Sequence, residues 1–225
     1  MRALLFDLDG TLIDSMPHHQ SAWNAWYAQR GLAMNADFFA STAGRANVEI
    51  LADLFPTRSA AEHVAMESEK ESIYRDFASH SLDLIRGAQP FVEEARAAGF
   101  RLAVCTAATP LNMDLAFARH GIDRWVETVV SPADGLRGKP HPDIFLEAAR
   151  RLGVAAADCV VFEDAPLGVE AARRAGMKAV ALTTTLPPEA FAEFDNLIAI
   201  APDFTTLALA ALRAAHASAP KKAAP

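Results

Sequence analysis

The sequence predicts an α/β fold: a parallel sheet with helices on both faces, interrupted after its first strand by an all-helical domain. Three observations predict this. Short apolar runs recur and end in polar or glycine-bearing turns. Longer stretches with helical spacing lie between those runs, and one long stretch, 15–85, holds no convincing strand. Short apolar runs alternating with helices read as repeated βα units around a parallel sheet.

In chain order, residues 3–6 form the first strand, and 101–105, 128–130, 159–162 and 178–182 the next four. Helices are expected at 91–98, 111–120, 142–152 and 167–175. Gly99, Gly121, Gly153 and Gly176 follow them, where a left-handed cap ends a helix. Within 15–85, helical segments are expected at 21–30, 36–40, 48–55 and 60–79. Trp23, Trp26, Tyr27, Phe38 and Phe39 are spaced to pack that block from within. The domains are therefore 1–14 with 86–216 as a discontinuous core, 15–85 as the helical insert, and 217–225 as a disordered tail. Gly87 is expected to loosen the second joint.

Composition narrows the function. With 52% hydrophobic residues the chain can build a sizeable core, and 21 Lys and Arg against 28 Asp and Glu leave a net charge of −7. An acidic balance argues against a nucleic-acid binder, which needs a basic face. No apolar stretch is long enough to span a membrane, and Asp7 interrupts the N-terminal run too early for a signal peptide. Cys105 and Cys159 lie in apolar runs and read as core residues of a reducing compartment. The expectation is a cytoplasmic protein, a monomer or weak homodimer, without nucleic-acid or membrane partners.

The strongest chemical signal is Asp7-Leu8-Asp9-Gly10-Thr11, where the first strand stops. Two carboxylates two residues apart can share a strand face, at the sheet edge where open α/β proteins bind ligands. They repel unless a cation or a reaction requires them. Taken singly, DxDG is a turn, Thr106 a helix cap, Lys139 a surface lysine and Asp164 a cap. Taken together, Asp7 and Asp9, Thr106, Lys139 and the Glu163-Asp164 pair all fall at predicted strand ends. That places acids, a hydroxyl and one cation along the same rim.

These residues resemble the haloacid dehalogenase superfamily, in its phosphatase and phosphomutase branch. The resemblance rests on DLDGTLIDS at 7–15, Thr106, GKPHPDIF at 138–145 and FEDAPLGVEAA at 162–172, with a helical cap after the first motif. It implies a Rossmann-like core and a nucleophilic Asp7 that forms an aspartyl-phosphate, with Asp9 as general acid and base. It implies Mg²⁺ held by the Asp7 carboxylate, the Asp9 backbone carbonyl and Asp164, with Glu163 binding directly or from behind. Lys139 and Thr106 would then hold the phosphoryl group. An acid at position 9 is what alkoxide departure needs and halide departure does not. The branch that cleaves phosphonates uses a cap lysine, and the one lysine of 15–85, Lys70, reads here as solvated.

In this branch the cap chooses the substrate. The candidates are His19, at the position where mutases of the β-phosphoglucomutase type carry a histidine, and the segment Gly44, Arg45, Asn47. His18 lies beside the first of them. The mutase's second phosphate grip uses cap cations where this chain has Ala43 and Asn47, and a lysine-bearing loop where it has Ala107 and its neighbours. The expected function is thus Mg²⁺-dependent hydrolysis of a small sugar-type phosphate monoester, the partner being a small phosphorylated metabolite. A phosphomutase is the alternative, and a phospho-accepting signalling module is the alternative from another class. Asn112 reads as a helix residue near the rim, His63 and His80 as surface residues, and His141, held between two prolines, as a residue able to approach the site.

Overall fold

The structure, a computed structural model, describes residues 1–35 and 37–218. Six strands form one sheet: β1 (Ala3–Phe6), β2 (Arg101–Cys105), β3 (Thr128–Val130), β4 (Cys159–Glu163), β5 (Lys178–Leu182) and β6 (Leu197–Ala201). Their order is β3-β2-β1-β4-β5-β6 and every pairing is parallel. β1 is paired on both sides, Phe6 standing opposite Val104 of β2 and Phe162 of β4. The strand order reverses between β1 and β4, and the carboxyl ends at such a reversal open the crevice that holds ligands.

The near-continuous apolar strands are explained by burial on both faces. Leu4, Phe6, Leu102, Val104, Val160 and Phe162 point into one core. It is closed by α5 (Ala88–Ala97), α6 (Pro110–His120) and α9 (Leu209–Ser218). Leu5, Ala103, Cys105, Val161 and Ala179 point into the other, closed by α7 (Asp143–Leu152) and α8 (Pro166–Arg174). On α7 the inward side chains Ile144, Phe145, Ala148, Ala149 and Leu152 recur at helical spacing. Both cysteines are buried and free.

Between β1 and β2 lie α1 (Met16–Ala28), α2 (Phe38–Thr42), α3 (Asn47–Leu54) and α4 (Ala60–Ser81). Trp23, Trp26, Tyr27, Phe38, Ile50 and Leu51 form their separate core, the aromatic rings meeting mostly edge to face. Ser59 and Glu62 cap α4 reciprocally, each side chain satisfying the other's backbone N–H. The chain leaves and re-enters the sheet side by side. Ile13 bridges Leu84, the Asp14 N–H donates to the Asp83 carbonyl, and the Ile85 N–H to that of Leu12.

Several expectations are corrected. β6 does not appear among the expected strands; it is an edge strand whose residues stay partly exposed, so its apolar run is short and ambiguous. α1 and α5 begin upstream of their expected starts because Pro17 and Pro90 sit in the first turn, where a missing N–H has no helical partner to lose. The helix expected at 36–40 is Phe38–Thr42, residue 36 lying outside the described residues. Ala217 and Ser218 continue α9 rather than opening a tail, whose remainder, 219–225, lies outside the described residues. Gly87 is demanded by geometry rather than looseness: its φ is 78°, and a Cβ would stand 2.9 Å from the Thr205 backbone nitrogen.

Candidate active site

The carboxyl ends of β1, β2 and β4 and the inner side of the insert line one partly open cavity. Asp7, Asp9, Thr106, Ala107, Lys139, Glu163 and Asp164 line it from the sheet. His19, Gly44, Arg45 and Asn47 line it from the insert. The residues singled out from the sequence therefore meet in one place. His18 does not join them; its ring faces the Ser81 carbonyl. His141 is exposed and outside the cavity.

Asp7 follows the last residue of β1, its N–H donating to the Phe162 carbonyl of β4, so the sheet itself aims the side chain. Lys139 Nζ lies 2.5 Å from Asp7 Oδ1 and 2.6 Å from Glu163 Oε1, all three side chains buried. Burial alone would discharge such an ammonium, but the two carboxylates more than offset it and hold Lys139 above the ordinary lysine value. Burial raises the Asp7 carboxyl well above its ordinary range even against Lys139. Asp164, pushed up to about 7 by burial and by Glu163, accepts from Thr185 Oγ1 and, at 3.3 Å, from Thr11 Oγ1.

Glycines make room for this cluster. A Cβ on Gly10, whose φ is 72°, would collide with the Asp164 carboxylate, and one on Gly168 with that of Glu163. Glu163 Oε2 accepts from the Asp164 and Ala165 N–H groups at 3.1 and 3.2 Å, turning it back onto its own loop. Ligand oxygens of Asp7, Glu163 and Asp164 lie within 4.8 Å of one another. Three buried carboxylates share one lysine, an excess of negative charge. An all-oxygen set of this kind fits Mg²⁺, with water completing the shell.

Thr106 follows β2; its N–H donates to Val130, and its hydroxyl oxygen accepts from the Ala108 N–H at 2.9 Å. That leaves the hydroxyl hydrogen available to a ligand in the cavity. Asp7 and Asp9 both lie past the end of β1 rather than on it, Asp9 in the turn with its Oδ1 3.5 Å from His19 Nε2. Burial would raise Asp9, but the histidine beside it prevails and its carboxyl sits below the ordinary value. His19 stacks on Tyr74 with centroids 3.9 Å apart.

Lys70 corrects the sequence reading. It is 1% exposed rather than solvated, with Nζ 2.7 Å from His19 Nδ1 and 2.8 Å from Glu71 Oε1. An ammonium only donates, so His19 Nδ1 is the acceptor and Nε2 carries the hydrogen that faces Asp9. Glu71, 2% exposed, also accepts from Asn47 Nδ2 and Asn112 Nδ2, and Asn112 Oδ1 accepts from Arg75 Nη1 at 3.0 Å. Lys70, Glu71 and Asn112 all line the cavity. The face that would have revealed Lys70 and Glu71 is the α4 stripe 70, 71, 74 and 78, which includes the buried Tyr74 and Ala78. Arg45 donates to Asp53 Oδ2 at 2.6 Å. His63 is buried against the Phe55 carbonyl rather than on the surface, whereas His80 is exposed.

The family model for haloacid dehalogenase-like hydrolases matches residues 1–176. The chain belongs to this family. Among these hydrolases, hexitol phosphatase A of Escherichia coli is 33% identical over 199 residues, covering 88% of this chain and 90% of its own. Validoxylamine A 7'-phosphate phosphatase of Streptomyces hygroscopicus is 32% identical over 216 residues, covering 88% and 92%. The solved haloacid dehalogenase hydrolase of family IA from Entamoeba histolytica shares the fold at a TM-score of 0.89. It has 24% identity and covers 97% of this chain and all of that one. The α/β core with a helical block after its first strand is thus the family's Rossmann-like architecture.

Proposed function

We propose that this haloacid dehalogenase-like hydrolase is a Mg²⁺-dependent phosphatase acting on a small, sugar-type phosphate monoester. The observation that carries the reading is Lys139 lodged between Asp7 and Glu163 at the floor of a cavity whose opposite wall holds His19 against Asp9. A nucleophile, an acid and base, a phosphate-binding cation and an acidic metal set are then four parts of one pocket. Two of the matched relatives are named as phosphatases of hexitol and of validoxylamine A 7'-phosphate, which supports the substrate class.

In this reading Asp7 attacks phosphorus and forms the aspartyl-phosphate. Asp9, a carboxylate at rest, passes to the leaving oxygen a proton taken through the His19 Nε2–H that faces it, then takes one from the water that attacks the phosphoenzyme. His19, oriented by Lys70, keeps the Asp9 carboxyl pointed at that oxygen. Lys139 and the Thr106 hydroxyl steady the phosphoryl oxygens, so catalysis is mainly positioning and electrostatics. Asp7, Glu163, Asp164 and the Asp9 backbone would hold Mg²⁺, which when bound offsets the charge of phosphate meeting carboxylate. Residues 15–85 act as a cap over the 1–14 and 86–216 core, closing to exclude water and opening for release.

Hydrolysis is preferred to isomerisation on the cap's charges. A mutase grips phosphate at two ends, yet Ala43, Asn47 and Ala107 offer no cation, Arg45 is bound to Asp53 and Lys70 to Glu71. The test is phosphate release from a panel of sugar phosphates, phosphoglycolate and nucleotides with Mg²⁺, with Asp7→Asn as blank. Release abolished by the substitution and by EDTA is expected. Glucose 6-phosphate formed from β-glucose 1-phosphate and a bisphosphate, without free phosphate, would overturn hydrolysis in favour of the mutase.

A further inference from the structure

We propose that Glu71 reads the hydroxyl groups of a neutral, polyhydroxylated leaving group and rejects phosphate esters that carry a second anion. The inference rests on the phosphatase reading and names the side chain that sets its substrate class.

Glu71 belongs to the insert wall, away from the Asp7 and Lys139 floor, and is buried yet lines the cavity. Burial would neutralise it, but Lys70 beside it outweighs burial and keeps it a carboxylate. A carboxylate offers about four acceptor sites. Three are taken, by Lys70, Asn47 and Asn112, which leaves one for a substrate hydroxyl. The Asn47 and Asn112 carboxamides each keep a second N–H, extending the donors to the neighbouring hydroxyl oxygens.

Charge on the same wall sets the rejection. Its two cations are each matched, Lys70 by Glu71 at 2.8 Å and Arg45 by Asp53 at 2.6 Å. Arg75 stands behind Asn112 and does not line the cavity. A second carboxylate or phosphate would be desolvated beside Glu71 with no spare cation, among the described lining residues of the insert, to receive it. A hydroxyl meets neither obstacle. Sites built to hydrogen-bond a hydroxyl discriminate strongly, because the buried partner is otherwise left unmade.

The decisive pair of probes is glucitol 6-phosphate and 6-phosphogluconate, which differ at the far end by CH₂OH against COO⁻. With Mg²⁺, the wild-type protein should release phosphate from the first with kcat/KM about 100-fold or more above the second. Glu71→Gln should lower kcat/KM for glucitol 6-phosphate about 10- to 100-fold, mostly through KM, and leave 6-phosphogluconate unchanged or improved. Glu71→Asp should lie between. Equal wild-type rates on the two esters overturn the proposal and leave the phosphatase reading standing. Equal losses on both esters in Glu71→Gln, with an unchanged melting temperature, show a structural role and also overturn it. If Glu71→Gln does not fold, the wild-type ratio alone decides. Release from neither ester nor any sugar phosphate overturns the phosphatase reading and this inference with it.

Discussion

Gly168, in the first turn of α8, lies flat against the Glu163 carboxylate at the end of β4, leaving no room for a Cβ between them. Glu163 cannot simply swing aside, because Lys139 holds one of its oxygens and two backbone N–H groups the other. Gly168→Ala should therefore displace the carboxylate without unfolding the helix, in which alanine is the better helix former. The expected result is an unchanged circular dichroism spectrum, weaker Mg²⁺ activation and kcat/KM lowered about 100-fold. A variant with normal Mg²⁺ dependence would show that Glu163 has no part in holding the metal or Lys139.

Lys139 is the only cation among the described residues within ion-pair distance of the Asp7 and Glu163 carboxylates. Lys139→Met strands them without a partner, which typically costs about 3–5 kcal/mol. Turnover should fall by about 10³-fold. Thermal unfolding with and without Mg²⁺ provides the check. The loss of melting temperature should be larger in EDTA, since Mg²⁺ partly replaces the missing charge. Equal losses in both conditions would place the metal elsewhere.

Asp164 supplies a pH dependence. Its folded value of about 7 stands above the ordinary 3.8, so between those values the metal-free folded protein keeps a proton that the unfolded chain has released. Its contribution to stability therefore falls as pH rises through that window. Mg²⁺ held by this cluster would have to expel the same proton, and should therefore bind about 30-fold more weakly at pH 5.5 than well above pH 7. Calorimetry should find the gain in melting temperature from Mg²⁺ small at pH 5.5 and large at pH 8. The reverse order would contradict a carboxyl raised by burial.

His19 touches Asp9 but not the floor of the cavity. His19→Ala should reduce kcat about 10- to 100-fold with little change in KM, by letting the Asp9 carboxyl turn from its proton-transfer orientation. Lys70→Met should act in the same direction and more weakly, because the histidine remains but either tautomer can form. A pure KM effect in both variants would make them substrate contacts instead.

The fold and the floor of the site were legible from the sequence because both repeat a local rule. Apolar runs buried on two faces stand out against polar turns, and Asp7, Thr106 and the Glu163-Asp164 pair fall where such a run ends, whereas Lys139 reaches the floor from the loop between β3 and α7. β6 escaped because an edge strand needs less apolar surface, and its partly exposed LIAIA run carries a weaker pattern. The insert wall was harder. Lys70 and Glu71 look like solvated helix charges until α1 and α3 are packed against α4, and only then does burial turn them into mutual partners. Asn112 likewise reads as an ordinary helix residue until α4 approaches α6.

The paired crossing at Ile13 and Leu84 has an evolutionary corollary. Both ends of the helical block pass through one narrow doorway, joined to each other by backbone hydrogen bonds that ignore side-chain identity. A lineage can therefore exchange the whole block, or reshape it, while the sheet and its acids stay as they are. On the proposed reading, in which this block lies over the substrate, a new diet needs no new chemistry at the floor, only a different lid hung on the same two posts.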